Sequence, residues 1–161
     1  MYTLLRSILF CFPPEAVHHL SMNMLRFACR IGFIRKMMAR HFQAKGVQPY
    51  QLWNLTFPNR VGLAAGFDKN AAYLRELETL GFGSVEIGTV TPLPQPGNDQ
   101  PRVFRLPKDK GLINRMGFNN EGVKAAAERL RAYRGHGSKL IIGGNIGKNK
   151  VTPNEEAWKD Y

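Results

Sequence analysis

Residues 111–122, GLINRMGFNNEG, gather the carboxamides of Asn114, Asn119 and Asn120, the guanidinium of Arg115 and a tight Gly-Phe-Asn turn into what reads as a connection between two regular elements. Carboxamides donate and accept, so such a segment is suited to a small planar molecule bearing alternating C=O and N–H groups. A polar surface loop uses the same residue types, because Asn and Gly tolerate turn geometry. Lys69 is the second candidate. It follows an apolar run, RVGLAAG, that suits a buried strand, so its ammonium would point into the mouth of the fold and neutralise a reduced ring or anchor a carboxylate; an ion pair with Asp68 or a later acid is the structural alternative. His18 and His19 lie in a helical stretch, where a histidine is more often packed or solvated than chemical.

Two further stretches resolve against the commoner motifs. GGNIGKNK fails as a phosphate loop: Ile142 stands where the first glycine belongs, and Asn149 replaces the Ser or Thr after Lys148. No GxGxxG follows any strand candidate, so neither an NTPase nor a dinucleotide site of the Rossmann type is expected. Pro92, Pro94, Pro96 and Pro101 stiffen the stretch that follows GTVT, as suits a rigid rim around a pocket or a plain rigid loop.

The elements that must position these groups follow from periodicity. RVGLAAG, GSVEIGTVT and KLIIGGNIG are apolar strand candidates, separated by helical stretches at 71–80, with Leu74, Leu77 and Leu80 on one side, and at 121–133. Strand and helix in alternation imply a parallel sheet covered by helices, either doubly wound or a (β/α)8 barrel. The barrel is preferred because polar residues collect just after each strand: Asp68, Lys69 and Asn70; Thr89 and Thr91; Asn145, Lys148 and Asn149. A closed barrel needs about five more strands. The 161-residue chain alone is therefore expected neither to fold stably nor to turn over substrate.

Ahead of the barrel, Val17, Leu20, Met24, Phe27 and Ile31 recur at helical spacing, after a shorter amphipathic stretch at 2–10 and a break at Pro13-Pro14. Periodicity alone favours packing of this two-helix extension on the rest of the protein over an interfacial membrane contact. Residues 44–60 read as a linker with a small hairpin around QLWNLTF, which places the domain boundary near 45: residues 1–45 and 46–161. Lys and Arg outnumber Asp and Glu by 23 to 12, and residues 1–45 hold seven of those cations against the single acid Glu15. Such an excess attracts anionic lipid, phosphates or nucleic acid. RNA binding would need aromatic residues interleaved with basic ones, whereas here the aromatics fall on apolar faces. Cys11 and Cys29, with no metal spacing around them, read as reduced thiols, and no metal site is expected. No apolar run reaches the roughly 18 residues of a membrane span.

Taken in order, LAAGFDKN, SVEIGTVTPLPQPGNDQPRVFRL, GLINRMGFNNEG and GGNIGKNK, after a helical extension, closely resemble the quinone-linked class 2 dihydroorotate dehydrogenases. The resemblance implies an FMN enzyme on an α/β barrel that oxidises dihydroorotate to orotate in pyrimidine (UMP) biosynthesis and passes electrons to ubiquinone or menaquinone. It places Ala65, Gly66, Phe67, Asp68, Lys69, Thr89 and Asn145 at the FMN, and Lys69, Asn114, Arg115, Met116, Gly117 and Phe118 at the substrate. It places His18, Ser21, Met24 and Arg105 along a quinone tunnel formed by the extension, which reverses the preference for simple packing. It also implies peripheral attachment to the cytoplasmic side of the bacterial inner membrane. The serine that acts as base in that family is expected beyond Tyr161, so no catalytic residue is assigned among these 161. A soluble class 1-type FMN dehydrogenase, or a non-enzymatic basic membrane-binding module, are the alternatives.

Overall fold

The computed structural model describes residues 2–138 and 140–161. Helices α1 (Tyr2–Phe10), α2 (Pro14–Arg30) and α3 (Gly32–Phe42) come first. A hairpin of β1 (Tyr50–Leu52) and β2 (Leu55–Phe57) follows, then β3 (Gly62–Leu63), α4 (Leu74–Thr79), β4 (Ser84–Val90), β5 (Val103–Leu106), β6 (Gly111–Asn114), α5 (Gly122–Arg134), β7 (Ile141–Ile146) and a 3-10 turn at Asn154–Asp160. Strands β3, β4 and β7 form one parallel sheet in that order, with α4 and α5 as the crossovers. This is the alternation of a (β/α)8 barrel, three strands of which lie in the chain.

Strand β4 carries the core. Val85, Ile87 and Val90 are buried beneath the helices with Leu74, Leu77 and Ala126, while Ser84, Glu86 and Thr89 face the concave side half-buried. Strict alternation would have put residue 89 among the helices. Instead the register between β4 and β7 shifts between Ile87 and Val90, and that irregularity turns Thr89 to the concave side and returns Val90 to the core.

The expected strand order, the 50–57 hairpin and the helix after β6 are all present. The hairpin turns on Trp53 and Asn54, both at positive φ (49° and 59°), as a two-residue turn between right-twisted strands demands. Four differences are instructive. The extension has three helices, not two: Ile31 alone takes an extended conformation (φ −82°, ψ 107°), and the break is marked in the sequence only by Gly32, which opens α3. Helix α4 starts at Leu74 rather than 71, because the carboxylate of Asp68 accepts the N–H groups of Ala72 and Tyr73 (both 2.8 Å) and holds 68–73 as a turn. The proline-rich stretch and the Asn-bearing segment are not plain loops, since β5 and β6 pair antiparallel within them, Val103 opposite Asn114. Lys139, taken as the start of the third strand, lies outside the described residues; the strand runs from Ile141.

The stripe on α2 faces away from the barrel. Met22 and Cys29 are its buried residues, whereas Met24 and Phe27 are 64% and 67% exposed and Leu20 and Ile31 also face outward. Packing on the barrel, which periodicity alone favoured, is thus the role of a different face of the helix.

Candidate active site

The loop after β3 is fixed by backbone bonds to β4: the N–H of Gly66 donates to the Gly88 carbonyl at 2.8 Å. Asp68 is buried at the start of the turn that its carboxylate organises, and burial raises its pKa against the pull of the Ala72 and Tyr73 N–H groups. With Asp68 turned to the backbone, Lys69 has no ion pair with it. Its ammonium donates to Asn119 Oδ1 at 2.5 Å across the fold. Burial lowers the Lys69 pKa, the charge of Arg102 lowers it further, and Glu15 opposes both.

On the concave side of the sheet, Thr89 Oγ1 donates to Asn145 Oδ1 at 2.7 Å, which joins the ends of β4 and β7. Asn114 closes β6. Its Oδ1 takes a long contact from the Met116 N–H (3.4 Å), and its amide NH2 has no acceptor among the described residues. The backbone beyond it is pinned by Asn98, whose Nδ2 donates to the Arg115 carbonyl (2.7 Å) and whose N–H donates to the Met116 carbonyl (3.1 Å). Gln95 Nε2 reaches the Phe118 carbonyl at 3.2 Å.

Most of these groups line one continuous open cleft, which runs on past them along α2 and α5 as far as Cys29, Tyr133 and His136. Ala65, Gly66, Phe67, Asp68, Lys69, Thr89, Asn145 and every residue of 114–118 line it, and so do Glu15, His18 and His19 from α2. His18 sets its ring edge against Phe67, with centroids 5.0 Å apart and planes at 88°. Burial lowers the His18 pKa, with the neighbouring His19 adding to it and the carboxylates of Asp68 and Glu15 opposing. Ser21, Met24 and Arg105 do not reach the cavity. Ser21 and Met24 lie on the exposed side of α2. The Arg105 guanidinium caps the end of α1 instead, donating to the carbonyls of Phe12 (2.6 Å) and Phe10 (3.2 Å) over the Phe10 ring.

Sequence reasoning misjudged one carboxamide and undervalued three residues. Asn120 is buried and saturated: its oxygen accepts from Gly122 N–H at 2.8 Å, and its NH2 donates to Thr91 Oγ1 and the Phe118 carbonyl. It is structural rather than a ligand group. Asn149 is likewise consumed by Thr91, Leu93 and Gln95. Conversely, Asn119 holds the Lys69 ammonium, Asn98 shapes the wall at 115–117, and Glu15 stands at the cavity edge. Of these, Asn119 stood out as one of the carboxamides of the 111–122 segment and Glu15 as the single acid of the extension, whereas Asn98 carried no signal.

A family model described as dihydroorotate dehydrogenase matches residues 49–161. The chain belongs to the dihydroorotate dehydrogenase family. A "Dihydroorotate dehydrogenase (quinone)" of Christiangramia forsetii is 51% identical over 160 residues, covering 99% of this chain and 46% of the relative. One of the same name from Teredinibacter turnerae is 52% identical over 163 residues, covering 100% and 45%. The chain thus spans about half the length of the curated relatives it matches, and the match to them includes the helical extension that the dihydroorotate dehydrogenase family model leaves out. Among solved structures, DHODH of Eimeria tenella in complex with ferulenol superposes with a TM-score of 0.67 at 39% identity, over 89% of this chain and 38% of that one. The ligand-free form gives 0.65 at 38% identity, over 88% and 40%.

Proposed function

We propose that these residues form the flavin- and substrate-facing part, with the quinone-facing extension, of an enzyme that oxidises dihydroorotate to orotate using FMN and a membrane quinone, ubiquinone or menaquinone. The observation that carries the reading is the convergence of Lys69 and segment 114–118 on the cavity that also holds Ala65, Gly66, Thr89 and Asn145. The residues fit a flat cofactor. Ala65 and Gly66 present little bulk, a Cβ placed on Gly66 would meet nothing within 4 Å, and the Thr89–Asn145 pair offers polar atoms at the strand ends. FMN bound there would supply the hydride-accepting ring.

The chain's own groups then divide the work. The Lys69 ammonium anchors the substrate carboxylate, the unclaimed NH2 of Asn114 donates to a ring carbonyl, and the pinned backbone of 115–118 shapes the slot. His18 against Phe67 lies where α2 meets the flavin side, and we assign the approach of the quinone to the extension, entering past Ser21 and Met24 on the outer surface of α2 and Arg105 at the end of α1. Residues 1–45 form the quinone- and membrane-associating unit and 46–161 the first part of the FMN barrel. No described helix is long and apolar enough to cross a membrane. The outward stripe of α2 and the surrounding cations suit a peripheral contact with anionic lipid on the cytoplasmic face of a bacterial inner membrane.

Two measurements test this. The whole flavin-loaded enzyme of which these residues form part is expected to carry one FMN per subunit, bleached by dihydroorotate under anaerobic conditions; flavin that does not respond to dihydroorotate removes the substrate assignment. Removal of residues 1–45 takes away Met22 from the core and Glu15 and His18 from the cavity, so it is expected to lower flavin content, but the flavin that stays bound should still be bleached by dihydroorotate while reduction of a long-chain quinone and binding to vesicles containing anionic lipid are abolished. Vesicle binding by the parent should weaken as salt rises. Retention of quinone reduction after the deletion would contradict the role given to the extension.

A further inference from the structure

We infer that Arg102 is a positioning residue that ties the docking of α2 to the wall of the substrate pocket, so that the two respond as one body. Arg102 is buried just before β5, and its guanidinium is divided between two parts of the fold. Toward the extension, Nη2 donates to Glu15 Oε1 at 2.6 Å and Nε reaches both carboxylate oxygens at 3.1 and 3.2 Å. Toward the barrel, Nη1 donates to the carbonyls of Pro96 (2.7 Å) and Asn98 (3.0 Å). The Arg102 carbonyl also accepts the Arg115 N–H at 2.9 Å. Asn98 in turn holds the carbonyls of Arg115 and Met116.

A planar fork with fixed donor directions suits this linkage, because a shift of the pocket wall moves the acceptors of the same rigid group that grips the helix. Glu15 lies in the first turn of α2, one turn ahead of His18. The far half of α2 has separate anchors in Met22, Cys29 and the bond from Arg26 to the Ala72 carbonyl (2.8 Å). Gln100 Nε2 also donates to Glu15 Oε2 at 3.2 Å, and His18 packs on Phe67, but the Glu15–Arg102 pair is the charged contact of the near half and is placed to control that half rather than the far one. If a ligand steadies segment 115–118, it should steady that half of α2, and reciprocally.

This inference rests on the reading that orotate occupies the pocket. Hydrogen exchange by mass spectrometry on the flavin-loaded enzyme, with and without orotate, tests it in the parent, Glu15→Gln and Arg102→Lys. In the parent, orotate is expected to slow exchange in the first turns of α2. Without ligand, both variants are expected to exchange there about tenfold faster, the scale of one lost charge-assisted bond, with amides near Cys29 unchanged. Orotate should then no longer protect the first turns of α2 in either variant, even where flavin absorbance shows it bound. Persistence of that protection in both variants, or no change in their ligand-free exchange, overturns the inference. A parent that binds no orotate refutes the proposed function instead, and the ligand-free exchange still decides whether the pair holds the helix.

Discussion

Lys69→Ala is expected to weaken orotate binding about a hundredfold, a loss of about 3 kcal/mol at 1.4 kcal/mol per tenfold. The size follows from position. A charged hydrogen bond contributes about 1.5–3 kcal/mol, and partial burial of Lys69 places its charge where screening is weaker than in bulk water. The other cation at the substrate wall is no substitute: the Arg115 guanidinium is turned back to the Pro101 carbonyl (3.1 Å). The pH dependence has a definite sign. The ammonium is the binding form, and burial lowers its pKa, so orotate affinity should fall as pH rises through a value below that of an ordinary lysine. In Lys69→Arg, whose side chain stays charged, that limb should disappear even if affinity is lower throughout. Titration of the flavin absorbance with orotate across pH measures all three proteins. An unchanged dissociation constant in Lys69→Ala would remove Lys69 from the substrate site.

The parts legible in the sequence are those fixed by local physics. Val85, Ile87 and Val90, the alternating hairpin segment around QLWNLTF and the crossover helix α5 announce themselves through apolar pattern, and the strands with their helices suffice to name a parallel sheet. What escaped depends on partners distant along the chain. Nothing near Asn120 says that Thr91 and Gly122 will saturate its carboxamide, while Asn119 beside it is left to meet Lys69. The same holds for Arg102, which reads as one more cation in a basic chain until the fold brings it to Glu15. The α2 stripe shows the complementary limit. Periodicity located an apolar face, but only the placement of Met22 and Cys29 against the barrel shows that this face looks outward. Site residues carried by motif identity, Ala65 to Lys69 and 114–118, converge because they occupy strand ends or follow them, which is where barrels assemble chemistry.

Gly88→Ala is expected to cost about 3–5 kcal/mol and to release the flavin, a larger disturbance than its single methyl suggests. Gly88 sits at φ +104°, a conformation that strains any L side chain by about 1–3 kcal/mol. A Cβ there would lie 2.3 Å from the Asn145 carbonyl oxygen and 3.0 Å from the Val90 nitrogen, both backbone atoms that no rotamer can move aside. Relief of such a clash typically costs another 1–3 kcal/mol, about the same again as the strain. It also requires β4 and β7 to part where Thr89 bonds Asn145, and where the Gly88 carbonyl receives the Gly66 N–H. The three strand ends that frame the cavity would move together. Gly32→Ala is the control, since a Cβ there meets nothing within 4 Å and the residue opens α3 at ordinary φ. Thermal denaturation and flavin content of the purified variants distinguish the two: Gly32→Ala should keep both at parent values or slightly above. Gly88→Ala should melt well below the parent with little flavin, and a variant that retained both would mean that the β4–β7 junction does not shape the cofactor cradle.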